Sequence, residues 1–417
     1  MNKILTTGTD NLIGTSGDDT FTATYNDGPT GFTFAISDVL NGGAGVDTLD
    51  IDTNHVDAIT PIDDYWGGIS NIEKVVIHSG AGAQTMTTGA AFQAAFAAAG
   101  VDLTTTSDAG AITLAMDSFT GAAAIAMLST DGAQTVSSGS GATTVTATST
   151  AGAQTITGPG LTEVTATSTH GAQIISGVNL NSVTAISDDG AQTITGINLV
   201  TVVAHTSGMQ TITTGAGTHV ITASSTAPEN AIATKGGNDV ISTSDATGSY
   251  TIDAGKGNDK VNGGMGNDHL LGGAGNDKVN GAAGDDVVSG GAGNDQLNGG
   301  AGNDVINGGA GNDKLHGGAG QDHFVLDSMK GIDSLSDFSV AYDTIDINHL
   351  VFNSISTVTA DNFAIGTAAA DANDYLIYNS SNGHLQYDAD GNGAGAAVEI
   401  AVIGVNLNLT NLDFAAV

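Results

Sequence analysis

Aspartate recurs at every ninth position over one stretch of this 417-residue chain, at Asp259, Asp268, Asp277, Asp286, Asp295, Asp304, Asp313 and Asp322. The fullest copies of the phrase around it read Gly272-Gly-Ala-Gly-Asn-Asp-Lys-Val-Asn280 and Gly308-Gly-Ala-Gly-Asn-Asp-Lys-Leu-His316. A short carboxylate set among glycines supplies hard oxygen ligands. The side chain offers its own, and glycine's freedom at positive φ lets neighbouring carbonyls turn toward one centre. Such ligands in a flexible loop suit Ca²⁺. Mg²⁺ demands a tight octahedron, and Zn²⁺ finds no thiolate in a chain without cysteine. The candidate ligating residues are the eight aspartates and Asp239 of the related Gly236-Gly-Asn-Asp239-Val-Ile241. With them go the turn glycines Gly264, Gly266, Gly273, Gly275, Gly291, Gly293, Gly300, Gly302, Gly309 and Gly311.

The elements that must position these groups follow from the residue two places after each Asp: Val261, Leu270, Val279, Val288, Leu297, Ile306, Leu315 and Phe324. Side chains alternate along a strand, so each of these points inward from a very short strand while the glycines turn the chain. Two nonapeptides then make one flattened coil, and turns on the same edge stack eighteen residues apart. Asp259 would lie over Asp277, Asp268 over Asp286, and so on to Asp304 over Asp322. A column of stacked carboxylates repels itself unless a cation lies between successive turns. Eight copies imply about six sites between coils, each with two aspartates and glycine carbonyls. The alternative is a solvated turn array without metal, since Asn and Asp are ordinary turn residues. Eight copies in strict register weigh against it.

This block resembles the repeats-in-toxin (RTX, haemolysin-type calcium-binding) family, whose phrase is G-G-x-G-x-D followed by an apolar residue at the second place. The resemblance implies a parallel β-roll with Ca²⁺ in its turns, and export from Gram-negative cells by a type I secretion apparatus. The block departs from the family pattern at Gly281-Ala282-Ala-Gly-Asp-Asp286 and at its opening Ala254-Gly-Lys-Gly, where weaker binding is expected. Looser copies stand at Gly8-Thr-Asp10-Asn-Leu12 and Gly17-Asp-Asp19-Thr-Phe21, and a complete but solitary one at Gly42-Gly-Ala-Gly-Val-Asp47-Thr-Leu49. Each reads equally well as a metal site or as a plain turn between strands.

Composition narrows the class. Formal charge is −36, from 44 acidic residues against 8 basic ones, all of them lysine, which excludes a nucleic-acid partner. Only four of the acids are Glu (Glu73, Glu163, Glu229, Glu399), and an excess of Asp, Gly, Thr and Ser means turns and strands rather than helix surfaces. No stretch approaches eighteen apolar residues, so no membrane span is expected. The start, Met1-Asn-Lys-Ile-Leu, lacks the apolar core of a secretory signal. The end, Leu412-Asp-Phe-Ala-Ala-Val417, resembles type I secretion tails.

The fold expected is all-β: a tandem parallel β-solenoid and calcium-binding β-roll, with a β-rich C-terminal cap and one short helix. Residues 1–79 form a β region holding the looser copies and Trp66, which suits a packed core better than a sugar platform. Residues 80–230 carry a second repeat of about nineteen residues, marked by Gly-Ala-Gln-Thr at Gly82, Gly132, Gly152 and Gly190. Its Val145/Ala147, Val164/Ala166, Val183/Ala185 and Val202/Ala204 alternate with outward Thr and other residues. Gln134, Gln154, Gln173, Gln192 and Gln210 share the inward side, where stacked amides would satisfy one another. Residues 88–100 are the helix candidate, with Phe92 and Phe96 on one face and Gly100 as its stop. Residues 231–326 are the nonapeptide roll, and residues 327–417 a β cap with a secretion signal. Within the cap, Asp388-Ala-Asp390-Gly-Asn392-Gly393 with Glu399 fits the EF-hand expression. Its flanks read as strands, so a plain Asp/Gly turn is expected instead, with a Ca²⁺-assisted hairpin loop as the alternative.

No H-E-x-x-H, G-x-S-x-G or P-loop occurs, and a chain this repetitive leaves no room for an ordinary catalytic domain, so no enzyme activity is expected. The reading is a secreted, extracellular calcium-binding structural protein of the surface-layer (S-layer) or matrix type. It would fold and assemble on external Ca²⁺ at the cell surface of a Gram-negative bacterium. Its partners would be the exporter, further copies of itself, or cell-surface polysaccharide. The competing reading is an adhesin or glycan-binding module.

Overall fold

A computed structural model describes residues 1–26, 31–35, 37–53, 63–244 and 246–417. Residues 54–62, part of the expected N-terminal β region 1–79, lie outside the described residues. The chain divides into two compact units, Met1–Thr214 and Gly215–Val417, and both are built from short strands stacked in parallel.

In the first unit one sheet runs through Asn2–Ile4, Thr20–Asn26, Thr48–Thr53, Lys74–Ser79, Val101–Ser107, Ala123–Ser129, Thr143–Ser149, Leu161–Ser168, Ser182–Ser187 and Thr201–His205, each parallel to the next. A second sheet runs from Gln84–Thr87 through Ile112–Met116, Gln134–Ser138, Gln154–Thr157, Gln173–Ser176 and Gln192–Gly196 to Gln210–Thr214. Successive strands of one sheet are one coil apart, as a solenoid requires. Small inward residues let the two sheets approach: Val145, Ala147, Val164, Ala166, Val183, Ala185, Val202 and Ala204 are all buried.

The glutamines lie in the same core. Gln154 donates to Gln134, Gln173 to Gln154, Gln192 to Gln173 and Gln210 to Gln192, at 2.8–2.9 Å. The Nε2 groups also reach carbonyls of the facing sheet, such as Thr148, Thr167 and Ile186. The expected amide ladder is therefore present, and it puts hydrogen-bonded polar groups where an unpaired one would cost about 1–3 kcal/mol. The helix, Ala90–Phe96, is one turn shorter at its end than expected. Asp63 accepts from the N–H groups of Gly89, Ala91 and Phe92 and so caps it from a distant 3-10 turn. Beneath it Trp66 is fully buried against Phe34, Phe92 and Phe96, a core residue and no platform.

In the second unit one sheet runs from Val220–Ser224 through Val240–Ser242, Lys260–Gly264, Lys278–Ala283, Gln296–Ala301 and Lys314–Ala319 to Asp333–Leu335. Its companion runs from Asn230–Ala233 through Tyr250–Asp253, His269–Ala274, Val287–Ala292, Val305–Ala310 and His323–Leu326 to Thr344–Ile347 and Phe414–Ala416. The eight apolar residues of the nonapeptides point inward and are at most 3 % exposed. The last turns add an antiparallel set, Leu376–Asn379, His384–Tyr387 and Val398–Val402, which joins the first sheet beside Asp333–Leu335. The EF-hand-like loop connects the last two of these strands, so no helix flanks it. Asp390 accepts from Gly395 within the loop, while Glu399 pairs with His384 outside it.

Candidate metal centre

Each nonapeptide places its Asp where turn gives way to strand, and every such carboxylate is used in the same way. The N–H of Asp259 donates to Oδ1 of Asp277 at 2.8 Å, and the pairs 268/286, 277/295, 286/304, 295/313 and 304/322 repeat it at 2.7–3.0 Å. The six expected stackings are thus the six that form. Asp239 joins the column by donating to Asp259 at 2.7 Å. The asparagines one place earlier bond the other way: the N–H of Asn276 donates to Oδ1 of Asn258, Asn294 to Asn276 and Asn312 to Asn294. Every turn is therefore held from both sides, a role that a generic turn reading of Asn does not contain.

The second carboxylate oxygen is the chemically telling one. In Asp239, Asp259, Asp268, Asp277, Asp286, Asp295, Asp304, Asp313 and Asp322 the Oδ2 atom is buried with no hydrogen-bond partner, and each residue is at most 2 % exposed. Nine charged oxygens shut away from water without a donor are not a stable end state, since burying an unpaired carboxylate costs several kcal/mol. Burial accordingly pushes the eight acids from Asp259 to Asp322 up, with neighbouring carboxylates adding to it for most. Asp268 and Asp286 rise to about 7, and Asp259, Asp295 and Asp304 to about 6. Asp277, Asp313 and Asp322 rise as well, burial being the main cause.

The surroundings of Oδ2 are glycine backbone. A Cβ added at Gly272 would come within 2.6 Å of Asp277 Oδ2 and 2.9 Å of the Gly290 carbonyl; one at Gly290 would meet Asp295 Oδ2 at 2.3 Å and the Gly308 carbonyl at 2.8 Å. Gly263 and Gly281 repeat the pattern with Asp268 and Asp286. The first glycine of each phrase thus leaves open the space beside the lone oxygen. Residues Gly263, Gly272, Gly281, Gly290, Gly299, Gly308 and Gly317 were not among the candidate ligands, although glycine at that place in seven of the eight copies was a visible signal.

The second and fourth glycines do something else. Gly273 and Gly275 take φ of +105° and +136°, and a Cβ on them would strike the Gly255 and Gly257 carbonyls of the adjacent coil at 2.0 and 1.8 Å. Gly264, Gly291, Gly293, Gly300, Gly302, Gly309 and Gly311 share both properties, whereas Gly266 has the close approach without the positive φ. These ten glycines set how tightly coils stack. Ala282, which replaces a second glycine, is held at φ +84°.

The columns also run past the block. Asp313 donates to Asp333 and Asp322 to Asp343, both at 3.1 Å, at spacings of 20 and 21 residues that conceal them from an eighteen-residue register. At the other end His219 takes the Asp place and bonds Asp239 at 2.7 Å. Among the looser copies, Asp10 engages both oxygens with Thr6, while Asp47 accepts from Asp19 and keeps Oδ2 buried and unpartnered beside Gly42.

A buried carboxylate oxygen, carbonyls of adjacent coils and a cleft kept open by glycine fit a hard cation liganded by oxygen, as Ca²⁺ requires. Among the described residues no group of three or more His, Cys, Asp or Glu side chains converges.

Comparison with known families agrees with this geometry. The model of the RTX calcium-binding nonapeptide repeat (4 copies) matches residues 5–24, 37–50, 251–279, 262–297 and 289–324. The search of curated proteins returns no match.

Proposed function

The chain is an RTX-type, calcium-binding protein, and we propose that it is a secreted structural protein of the surface-layer or matrix type that folds and assembles when it meets extracellular Ca²⁺. The observation that carries the reading is the set of nine buried Oδ2 atoms without partners. In Ca²⁺-poor cytosol these carboxylates oppose coiling, and a core of one apolar side chain per nine residues is too thin to overcome them. The chain then stays exportable. Outside, Ca²⁺ supplies the counter-charge between coils, and binding free energy becomes folding free energy. The chain's own residues do the rest: Asp Oδ1 and Asn Oδ1 tie each turn to its neighbours, and the glycines let the turns close.

The RTX repeats support export through a type I apparatus, and no helix of the described residues is long and apolar enough to cross a membrane. A non-enzymatic role is supported by a chain made almost wholly of stacked coils, with its buried acids in backbone-tied columns. Placement at the cell surface rests on the same reasoning. Electron microscopy and sedimentation of purified protein, with and without Ca²⁺, test the assembly. Sheets or filaments that need Ca²⁺ are expected. A folded, Ca²⁺-loaded protein that remains monomeric would replace this reading with that of an adhesin.

A further inference from the structure

On the outer face of the second unit, the strands from Val240–Ser242 to Lys314–Ala319 form a groove of about 780 Å³. Two files of side chains run along it, one residue per coil. The first is Lys260, Lys278, Gln296 and Lys314, directly opposite one another in the strand register. The second is Asn262, Asn280 and Asn298, continued by His316. Three of the chain's eight cations therefore stand in one file, and no Asp or Glu lines the groove, in a chain of net charge −36. None of the three lysines makes an ion pair among the described residues. Like charges directly opposite in a sheet destabilise it, and 44 acids were available to neutralise them. Stability does not account for the arrangement.

The neighbouring file adds a second chemistry. Asn280 donates to Asn262 at 2.8 Å and Asn298 to Asn280 at 2.5 Å, while Asn298 Oδ1 is buried without a partner. The ladder thus ends in an acceptor that lacks a donor. At the far end His316 is held by Ser336 and Asp337 at 3.1 Å. Coils repeat every ~4.8 Å, so the four-membered files offer ammonium and amide groups in step over roughly 14 Å.

We propose that this groove binds a linear polysaccharide bearing carboxylates, with Lys260, Lys278 and Lys314 pairing its acid groups and the asparagine file bonding its hydroxyls. The proposal deepens the surface-protein reading and rests on it. A polymer that carries both hydroxyls and carboxylates at a short repeat matches both files at once. A second copy of the chain matches less well: the outward strand positions of the companion sheet in this unit, such as His269, Val287, Val305 and His323, present no file of acids.

The test is calorimetric titration of the full Ca²⁺-loaded chain with tetragalacturonate and with uncharged maltotetraose, at one saturating Ca²⁺ concentration so that cation bridging is common to all arms. The variant replaces Lys260, Lys278 and Lys314 by Gln, and Lys278→Arg serves as the charge-conserving control. Circular dichroism in Ca²⁺ checks that all keep the same β signal. The expected result is about tenfold weaker tetragalacturonate binding by the triple variant, retention in Lys278→Arg, and weakening of the wild type as salt rises. Equal binding by wild type and triple variant, equal binding of both sugars, or no tetragalacturonate binding by folded wild type overturns the proposal. Loss of Ca²⁺-dependent assembly in the triple variant without any sugar binding overturns it in favour of a second copy as occupant. Failure of assembly in the wild type would instead strike the surface-protein reading and leave these titrations readable.

Discussion

At the scale of single residues, the buried carboxylates dominate, because their protonation opposes the metal. Asp259, Asp268, Asp286, Asp295 and Asp304 rise from a value near 3.8 to about 6 or 7 in the coiled chain. The Ca²⁺-free native state therefore binds more protons than the unfolded chain between pH ~4 and ~7, and its stability falls as pH rises through that window. Chelated protein should show more β signal by circular dichroism at pH 4 than at pH 7.5. With Ca²⁺ the order reverses, because the ion displaces the protons and binds tighter as pH rises. A Ca²⁺-free β signal that grows from pH 4 to 7.5 would contradict the burial of these groups. The first glycines give a sharper test. Gly290→Ala would set a methyl 2.3 Å from Asp295 Oδ2, and calorimetric Ca²⁺ stoichiometry should fall by at least one ion per chain, roughly the number of sites that share that turn. The matching change at Ala282, whose φ of +84° strains an L-residue, should act oppositely: Ala282→Gly is expected to raise thermal stability by about 0.5–1 kcal/mol.

At the scale of elements, the two repeats solve one problem in different ways. A coil with a thin core must satisfy inward polar groups along its axis. The nonapeptide coils do so with Asp and a cation; the nineteen-residue coils do so with the Gln ladder and with buried Ser129, Ser149, Ser168 and Ser187 bonded to turn backbone. Gln173 both donates to Gln154 and accepts from Gln192, so Gln173→Ala breaks the ladder in both directions and leaves a cavity. A loss of about 3 kcal/mol is expected in a chemical melt of the full chain. A cost below about 0.5 kcal/mol would mean that the ladder is incidental. Much of this was legible in the sequence, because glutamine, valine and alanine recur at one register. The helix was legible too, from Phe92, Phe96 and Gly100. Its cap was not: Asp63 lies 26 residues before Gly89, and no local pattern links the two.

At the scale of the whole molecule, dependence on Ca²⁺ should be uneven. The first unit from Gln134 to Thr214 is held by a ladder that needs no metal, while the roll in the second unit is not. After chelation, amides of residues 259–322 should lose protection in hydrogen exchange, whereas those of the strands between Gln134 and Thr214 should keep it. Uniform loss would mean that the two units fold as one. The sequence by itself determined the period, the inward apolar residue, the Asp column and the cation class, because a strict repeat forces identical environments and each copy testifies to the others. Only the tertiary structure decided which carboxylate oxygen is left alone, which glycine leaves it room, and that Asp333 and Asp343 continue the same columns. Those facts depend on the distance between coils, which is set by backbone packing across residues 18 to 28 positions apart. The lysine and asparagine files emerged the same way. Within one nonapeptide they are variable surface positions, and they become a groove only when coils bring them into line.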